Sequence, residues 1–212
     1  MIVPWHSARQ GRGMLLLRGT PDAVSTWARR GLAPVHVVPL NGWTAVLPAG
    51  PSRALPPYDD TIQTLAGRHV ASRLRSAIGL FAVDGNAVVT VHPTGWRAIP
   101  RWFVWSPGRG VASPWHLAPG RPADLVTAAG IRDARVRRDV RDTLVEAGGD
   151  ADGVLHELMA LLLLPGSDLL DGGQDPATAQ GATLVEPDAQ QIVKFERIVS
   201  DQALHRAEME ED

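Results

Sequence analysis

The sequence predicts an α+β fold, with a mixed, mainly antiparallel sheet, helices on one face of it, and a helical C-terminal segment. β-rich runs flank two dipeptides typical of tight hairpin turns, Asn41-Gly42 and Asp84-Gly85. After about residue 120 the apolar residues recur with helical periodicity instead. A length of 212 residues suits one core with a small appendage.

The first elements follow from a run of apolar residues and a helix start signal. Residues 14–18, "MLLLR", are typical of a short buried strand. A helix then begins after Thr20, a good N-cap residue, with Pro21 at its first position. The first hairpin follows over residues 35–48, and its pairing puts one set of side chains on a common face. That set is His36, Val38, Leu40, Trp43, Ala45 and Leu47.

A second helix and a second hairpin complete a βαββαββ order. Apolar residues at three- and four-residue steps predict a helix from Asp59 to Ala77. The second hairpin pairs Leu80 with Val89 in two-residue-loop register, and its next pair is Phe81 with Val88. The first six elements have the split βαβ (ferredoxin-like) order, and the first crossover favours a parallel strand pair.

The next strand is rich in tryptophan and arginine. Alternation puts Trp96, Ala98, Trp102 and Val104 on one face, and Arg97, Ile99, Arg101, Phe103 and Trp105 on the other. Pro100 delays the start of the strand or places it at the sheet edge. We interpret the stretch as mainly structural, and its candidates for ligand contact are Arg97, Arg101, Trp105 and the nearby Arg109. The alternative is a surface that stacks bases or binds phosphates.

Four segments are expected along the chain. Residues 1–120 form a basic sheet domain, and residues 121–165 form a helical segment packed on the same core. Residues 166–187 are rich in Gly, Pro and small residues and are interpreted as a linker, with "ATLV" (182–185) as a candidate short strand within it. Residues 188–212 form an acidic amphipathic helix. Its apolar stripe, the candidate partner surface, is Ile192, Phe195, Val199 and Ala203.

The charges divide unevenly between the two parts of the chain. Residues 1–145 hold 18 arginines and 8 acidic residues, whereas residues 146–212 hold 3 basic and 15 acidic residues. The net charges are therefore +10 and −12. Such asymmetry indicates an interaction surface or a charged tail. We expect the acidic helix to fold back on the basic body or to bind another protein.

Several kinds of chemistry are excluded by residue types that are missing. Without cysteine there can be no disulfide, thiolate nucleophile or cysteine-ligated metal. Lys194 is the only lysine and lies in the last helix, which excludes a Walker phosphate loop. No G-x-G-x-x-G, G-x-S-x-G or H-E-x-x-H pattern is present. The sequence predicts no cofactor, no metal site and no catalytic residue.

Three histidines remain as candidate binding residues. His36 projects onto an apolar hairpin face, and His92 and His116 flank the strand rich in tryptophan and arginine. For His36 a hydrogen-bonded structural role is the simpler interpretation. His92 and His116 could meet in space with Asp84, but no metal-ligand spacing supports such a group. A dispersed active site for an anionic small molecule would need these histidines to meet arginines in one pocket.

These observations favour a non-catalytic binding or regulatory protein whose acidic C-terminal helix mediates intramolecular or protein–protein association, including association of identical chains. One alternative is a nucleic-acid or polyanion binder that uses the arginines, and the other is an enzyme for an anionic small molecule. The arginine-rich, lysine-poor composition is typical of a bacterial protein from a GC-rich genome. The absence of a long apolar run predicts a cytoplasmic protein without membrane partners.

Overall fold

The structure is a computed structural model that describes residues 11–95, 98–112, 114–146 and 148–210. For residues 204, 206–208 and 210 only the backbone is described. The strands are β1 (Gly11–Leu17), β2 (Val35–Leu40), β3 (Trp43–Pro48), β4 (Ala77–Val83), β5 (Asn86–His92), β6 (Arg101–Ser106), β7 (Gly110–Ala112) and β8 (Thr183–Val185). The helices are α1 (Pro21–Ala28), α2 (Thr61–Ala66), α3 (Pro122–Ala129), α4 (Ala134–Val145), α5 (Ala151–Leu161), α6 (Ser167–Leu170) and α7 (Ala189–Glu210).

The strands form one sheet in the order β7-β6-β5-β4-β1-β3-β2-β8. The α+β class is therefore confirmed, with a larger sheet than the sequence predicted. All seven strand pairings between these elements are antiparallel. The predicted parallel pair after the first crossover is wrong, because β3 takes the place next to β1 and separates it from β2.

Both predicted hairpins form with the predicted register. Leu40 pairs with Trp43 across the first turn, and Leu80 pairs with Val89 in the second hairpin. Asp84 and Gly85 at the second turn have φ angles of 48° and 75°. A type I′ turn needs positive φ at both central positions, which is why Asp-Gly favours it.

Helices cover both faces of the sheet, so the prediction of helices on one face is wrong. Helices α3, α4, α5 and α6 pack on the face that includes Leu16, Ala45 and Leu80, here called the α3–α6 face. Helices α1 and α2 pack on the opposite face, here called the α1–α2 face, which includes Leu15 and Val46. The physical reason lies in β1, whose consecutive residues 14–17 are all fully buried and need cover on both sides.

The second predicted helix is much shorter than the apolar periodicity indicated. Helix α2 begins after Asp60, whose carboxylate accepts a hydrogen bond from the Gln63 amide at 3.0 Å, and it ends at Gly67. The chain then leaves the helix and forms a 3₁₀ turn over Ser72–Leu74. Beyond the helix, the Arg68 side chain donates hydrogen bonds to the carbonyls of Trp27 and Ala28, the last two residues of α1.

The strand rich in tryptophan and arginine begins after Pro100, as the missing proline donor predicts. Trp96 and Arg97 lie outside the described residues. Within β6 the predicted alternation holds, because Phe103 and Trp105 belong to the α3–α6 face and Trp102 packs against the α1–α2 face.

The segment predicted as a linker carries regular structure. It contains α6, a 3₁₀ turn over Pro176–Thr178 and strand β8, which pairs with β2 at the sheet edge. Leu169, Leu170 and Val185 in this segment are buried. Within the described residues, no helix combines the length and apolar character needed to cross a membrane.

Candidate functional site

A cavity of about 680 Å³ lies on the α1–α2 face, between α2 and α7. The connection between α1 and β2, the sheet itself and the loop after β7 complete its walls. Apolar side chains make up most of the lining. They are Leu32, Ala33, Val35, Pro57, Tyr58, Ile62, Leu65, Ala66, Val83, Val88, Trp102, Leu117, Phe195 and Ile198.

The charged lining of the cavity is entirely basic. Arg30, Arg68 and Lys194 contribute cationic side chains, and His116 also lines the cavity. No carboxylate belongs to the lining formed by the described residues. Arg30 and Lys194 are exposed, whereas Arg68 is half-buried. The cavity therefore combines a mainly apolar lining with charged side chains that are all basic.

Arg68 is held against the end of α1. Its guanidinium lies 3.7 Å from the centre of the Trp27 ring and donates hydrogen bonds to the carbonyl oxygens of Trp27 and Ala28. Burial lowers the pKa of Arg68 to about 10, and the group remains charged at neutral pH. Among the described residues, no carboxylate forms an ion pair with it.

Gly31 makes room for this arginine. A Cβ atom at Gly31 would lie 2.4 Å from Nη1 of Arg68 and 3.0 Å from the Ala28 carbonyl oxygen. Both separations are shorter than ordinary van der Waals contact. The absence of a side chain at residue 31 thus lets the guanidinium reach the cavity wall.

The first turns of α7 form the remaining wall. The ring of Phe195 meets the ring of Tyr58 edge to face, with 5.0 Å between centroids. The chain is anchored just before the helix, where the Asp188 amide donates to the Arg29 carbonyl at 2.8 Å. Glu186 also forms an exposed ion pair with Arg53, with 3.5 Å between the charged atoms.

The predicted apolar stripe of α7 is only partly covered. Ile192, Phe195 and Val199 are half-buried, and Ala203 is exposed. Val193, on another side of the helix, leaves 66% of its surface exposed. The beginning of the stripe is thus partly covered by the body, whereas Ala203, at its end, is exposed to solvent.

The structure separates the candidate residues of the strand rich in tryptophan and arginine. Arg101 is half-buried at the start of β6, and Arg109 is exposed in the turn between β6 and β7. The placement of Trp105 is corrected, because it is 1% exposed and donates its indole N–H to the Glu146 carbonyl at 2.8 Å. Arg97 lies outside the described residues. None of the described three lines the cavity.

The three candidate histidines are not brought together. His36 pairs directly with Leu47, which belongs to the α3–α6 face, so its side chain is on the side of the sheet away from the cavity. His92 pairs with Ala77 on the α1–α2 face but does not line the cavity. Only His116 among these three does, and it also packs edge to face against the exposed Trp115.

His92 is a buried polar group of a different kind. It is 1% exposed, and neither ring nitrogen has a hydrogen-bond partner among the described residues. Burial, together with the nearby charges of Arg75 and His69, lowers the pKa of His92 to about 4. The imidazole is therefore neutral at physiological pH.

Several arginines of the basic part serve the fold itself. Arg18 stacks 3.7 Å from the Trp43 ring centre and donates to the carbonyls of Gly42 and Ala129, each at 3.0 Å. Arg75 donates to the Val70 carbonyl at 3.0 Å and to the Ala98 carbonyl at 3.1 Å. These guanidinium groups are engaged by protein carbonyls.

Sequence reasoning missed the residues that define the cavity. Arg68 is one of 18 arginines in residues 1–145, and no local pattern distinguishes it from the others. Tyr58 is the only tyrosine of the chain and follows two prolines, but that signal does not indicate what the ring contacts. In the described ranges, no cluster of three His, Asp or Glu side chains is placed as a metal site would require.

Comparisons with known proteins give no relative from which a function could be transferred. No protein-family model matches the chain, no curated protein matches it, and no solved structure matches its fold.

Proposed function

We propose that the protein is a non-catalytic binding protein whose acidic C-terminal helix associates with its basic body beside a ligand cavity. One observation carries the proposal: Gln191, Lys194, Phe195 and Ile198 of α7 form a wall of that cavity. Because an apolar cavity with a few polar groups is the usual form of a small-molecule site, the helix bounds a binding site.

Two ion pairs join the basic and acidic parts of the chain through α5 and the segment before α7, and the docking of α7 itself is supported by its contact with Tyr58. Arg12 forms an ion pair with Asp152 at 2.5 Å, and Arg53 forms one with Glu186. Each pair joins the basic first part of the chain to its acidic second part. Exposed pairs of this kind contribute about 0–1 kcal/mol each, so the apolar contact of Phe195 with Tyr58 matters at least as much.

The two alternatives find less support. A polyanion site needs several free cationic groups along one surface, and Arg18 and Arg75 are bonded to backbone carbonyls instead. An active site built on His36, His92 and His116 needs them in one pocket, and only His116 lines the cavity. We therefore propose neither.

The proposal also extends to the finer organisation of the chain. Strands β4, β1, β3 and β2 are consecutive neighbours in the sheet, and α1 and α2 pack on one face of them. This arrangement supports a ferredoxin-like core extended by later strands. A bacterial source and a cytoplasmic location remain predictions from composition.

Hydrogen exchange of α7 tests the association, with two variants of the same helix. Phe195→Asp places a charge against Tyr58, whereas Val193→Asp places the same charge at a largely exposed position. We expect Phe195→Asp to raise amide exchange across residues 189–200 at least about fivefold, which corresponds to roughly 1 kcal/mol of lost docking. Val193→Asp should change it little.

Equal exchange in the two variants would contradict the association with the body. Light scattering of the full-length protein after gel filtration addresses the other form of association. Intramolecular docking predicts a monomer at all concentrations. A dimer that Phe195→Asp dissociates would instead assign α7 to a contact between two copies of the chain.

A further inference from the structure

We infer that the cavity between α2 and α7 binds an amphipathic anion, namely a molecule with an apolar chain and one terminal carboxylate that pairs with Arg68. The inference deepens the proposed function by naming the ligand class. It depends on that proposal only because α7 supplies one wall.

The walls determine the character of the ligand's body. Aliphatic and aromatic side chains of α2, α7 and the sheet surround a volume of about 680 Å³, within the range of roughly 300–1,000 Å³ typical of small-molecule sites. The uncharged polar side chains are few: Thr61, Gln63, Thr64 and Gln191. A ligand with many hydroxyl groups would leave most of them without partners, at a free-energy cost for each.

The charges determine the headgroup. The guanidinium of Arg68 carries more N–H donors than the carbonyls of Trp27 and Ala28 can use. It is desolvated enough to lower its pKa, and no described carboxylate pairs with it. A bound carboxylate would supply the missing countercharge in a charge-assisted hydrogen bond. A cationic or neutral headgroup would not supply this countercharge to Arg68.

The positions of the other cations agree with this assignment. Arg30 and Lys194 are exposed cavity residues, one just after α1 and the other on α7. Exposed charges of one sign around a cavity raise the local concentration of an oppositely charged ligand. They therefore favour entry of an anion, while Arg68 holds it.

Calorimetric titration of the full-length protein with four probes tests the ligand class. The probes are dodecanoate, dodecanol, dodecyltrimethylammonium and acetate. We expect dodecanoate to bind, dodecanol to bind at least about tenfold more weakly for lack of the charged hydrogen bond, and the other two not to bind. Acetate tests the need for the apolar chain, and the ammonium compound tests the sign of the charge.

Two arginine variants locate the headgroup. Arg68→Met should lower dodecanoate affinity at least about tenfold and leave dodecanol affinity unchanged. Arg73→Met is the matched control, since Arg73 is exposed in the 3₁₀ turn and does not line the cavity. Binding of dodecanol to Arg68→Met shows that the cavity persists without the stack on Trp27.

Three results would overturn the inference. The wild-type protein could bind dodecanol as tightly as dodecanoate, it could bind no dodecyl compound, or Arg73→Met could lose as much affinity as Arg68→Met. If Arg68→Met does not fold, the ratio of dodecanoate to dodecanol affinity in the wild-type protein still tests whether the ligand must be an anion. Failure of the proposed α7 association can be distinguished from failure of this inference. The first shows in the amide exchange of residues 189–200, and the second shows in the preference of the cavity for an anionic ligand.

Discussion

The two faces of the sheet are similarly apolar but unequally covered. The α3–α6 face carries four helices, and Leu155 and Leu158 of its helix α5 are completely buried. The α1–α2 face carries one helix of 8 residues and one of 6, and the cavity lies between the shorter of them and the first turns of α7. At a rise of about 1.5 Å per residue, a helix of that length cannot span the sheet. A sheet face that helices cover only in part can therefore leave room for a binding site.

Leucine truncations on the two faces should give the largest difference. Leu155→Ala removes a side chain packed on all sides and should lower the free energy of unfolding by about 3–5 kcal/mol. Leu65→Ala acts on a cavity wall, where part of the neighbouring space is already open, and should cost about 2 kcal/mol. Urea unfolding of both variants measures this. Equal losses would show that the cavity is filled in solution.

Two histidines, His92 on the α1–α2 face and His156 on α5, should make opposite contributions to the pH dependence of folding stability. His92 has its pKa lowered to about 4 in the folded state, so the unfolded chain binds more protons between about pH 4 and 6.5. Stability should therefore fall by up to about 3 kcal/mol as the pH drops through that interval. His92→Leu should remove this part of the pH dependence in thermal unfolding.

His156 on α5 provides the internal control. Hydrogen bonds to the Asp152 carbonyl and to Asp171 raise the pKa of His156. Its contribution is fully present below the unfolded pKa and is lost as the pH rises through the folded value. His156→Leu should thus remove stability at low pH, where His92→Leu adds it. If both variants change the stability at low pH in the same direction, this account of the two histidines is wrong.

A substitution at Gly31 should give the smallest effect. Gly31→Ala forces the Arg68 guanidinium from its position, and we expect a loss of about 1–2 kcal/mol together with weaker dodecanoate binding. Gly173→Ala is the control, because its Cβ would meet nothing closer than 3.6 Å. Thermal unfolding and calorimetry of both variants measure the two effects. If Gly31→Ala binds dodecanoate with unchanged affinity, the position of the Arg68 guanidinium does not matter for ligand binding.

The parts of the fold that the sequence predicts are those with local causes. The Asn41-Gly42 and Asp84-Gly85 turns determine both hairpin registers, because the turn type dictates how the flanking residues pair. Thr20 caps α1 by accepting a hydrogen bond from the Ala23 amide for the same local reason. Such signals lie within a few residues of the structure that they determine.

The errors come from contacts distant in sequence. Alternation placed Arg101 and Trp105 on one face of a strand, but it could not show that α4 covers that face and buries Trp105. The basic wall of the cavity includes Arg68, which stacks on Trp27, and periodicity carries no information about that pair. The candidate site was missed because it exists only after both faces have been packed.

The two outermost strands have a consequence for behaviour at high concentration. Strands β7 and β8, at the two edges of the eight-stranded sheet, are each only three residues long. A short border presents few unpaired amide and carbonyl groups to the border of another molecule. Growth of the sheet from molecule to molecule into fibres is therefore discouraged by the lengths of its last strands.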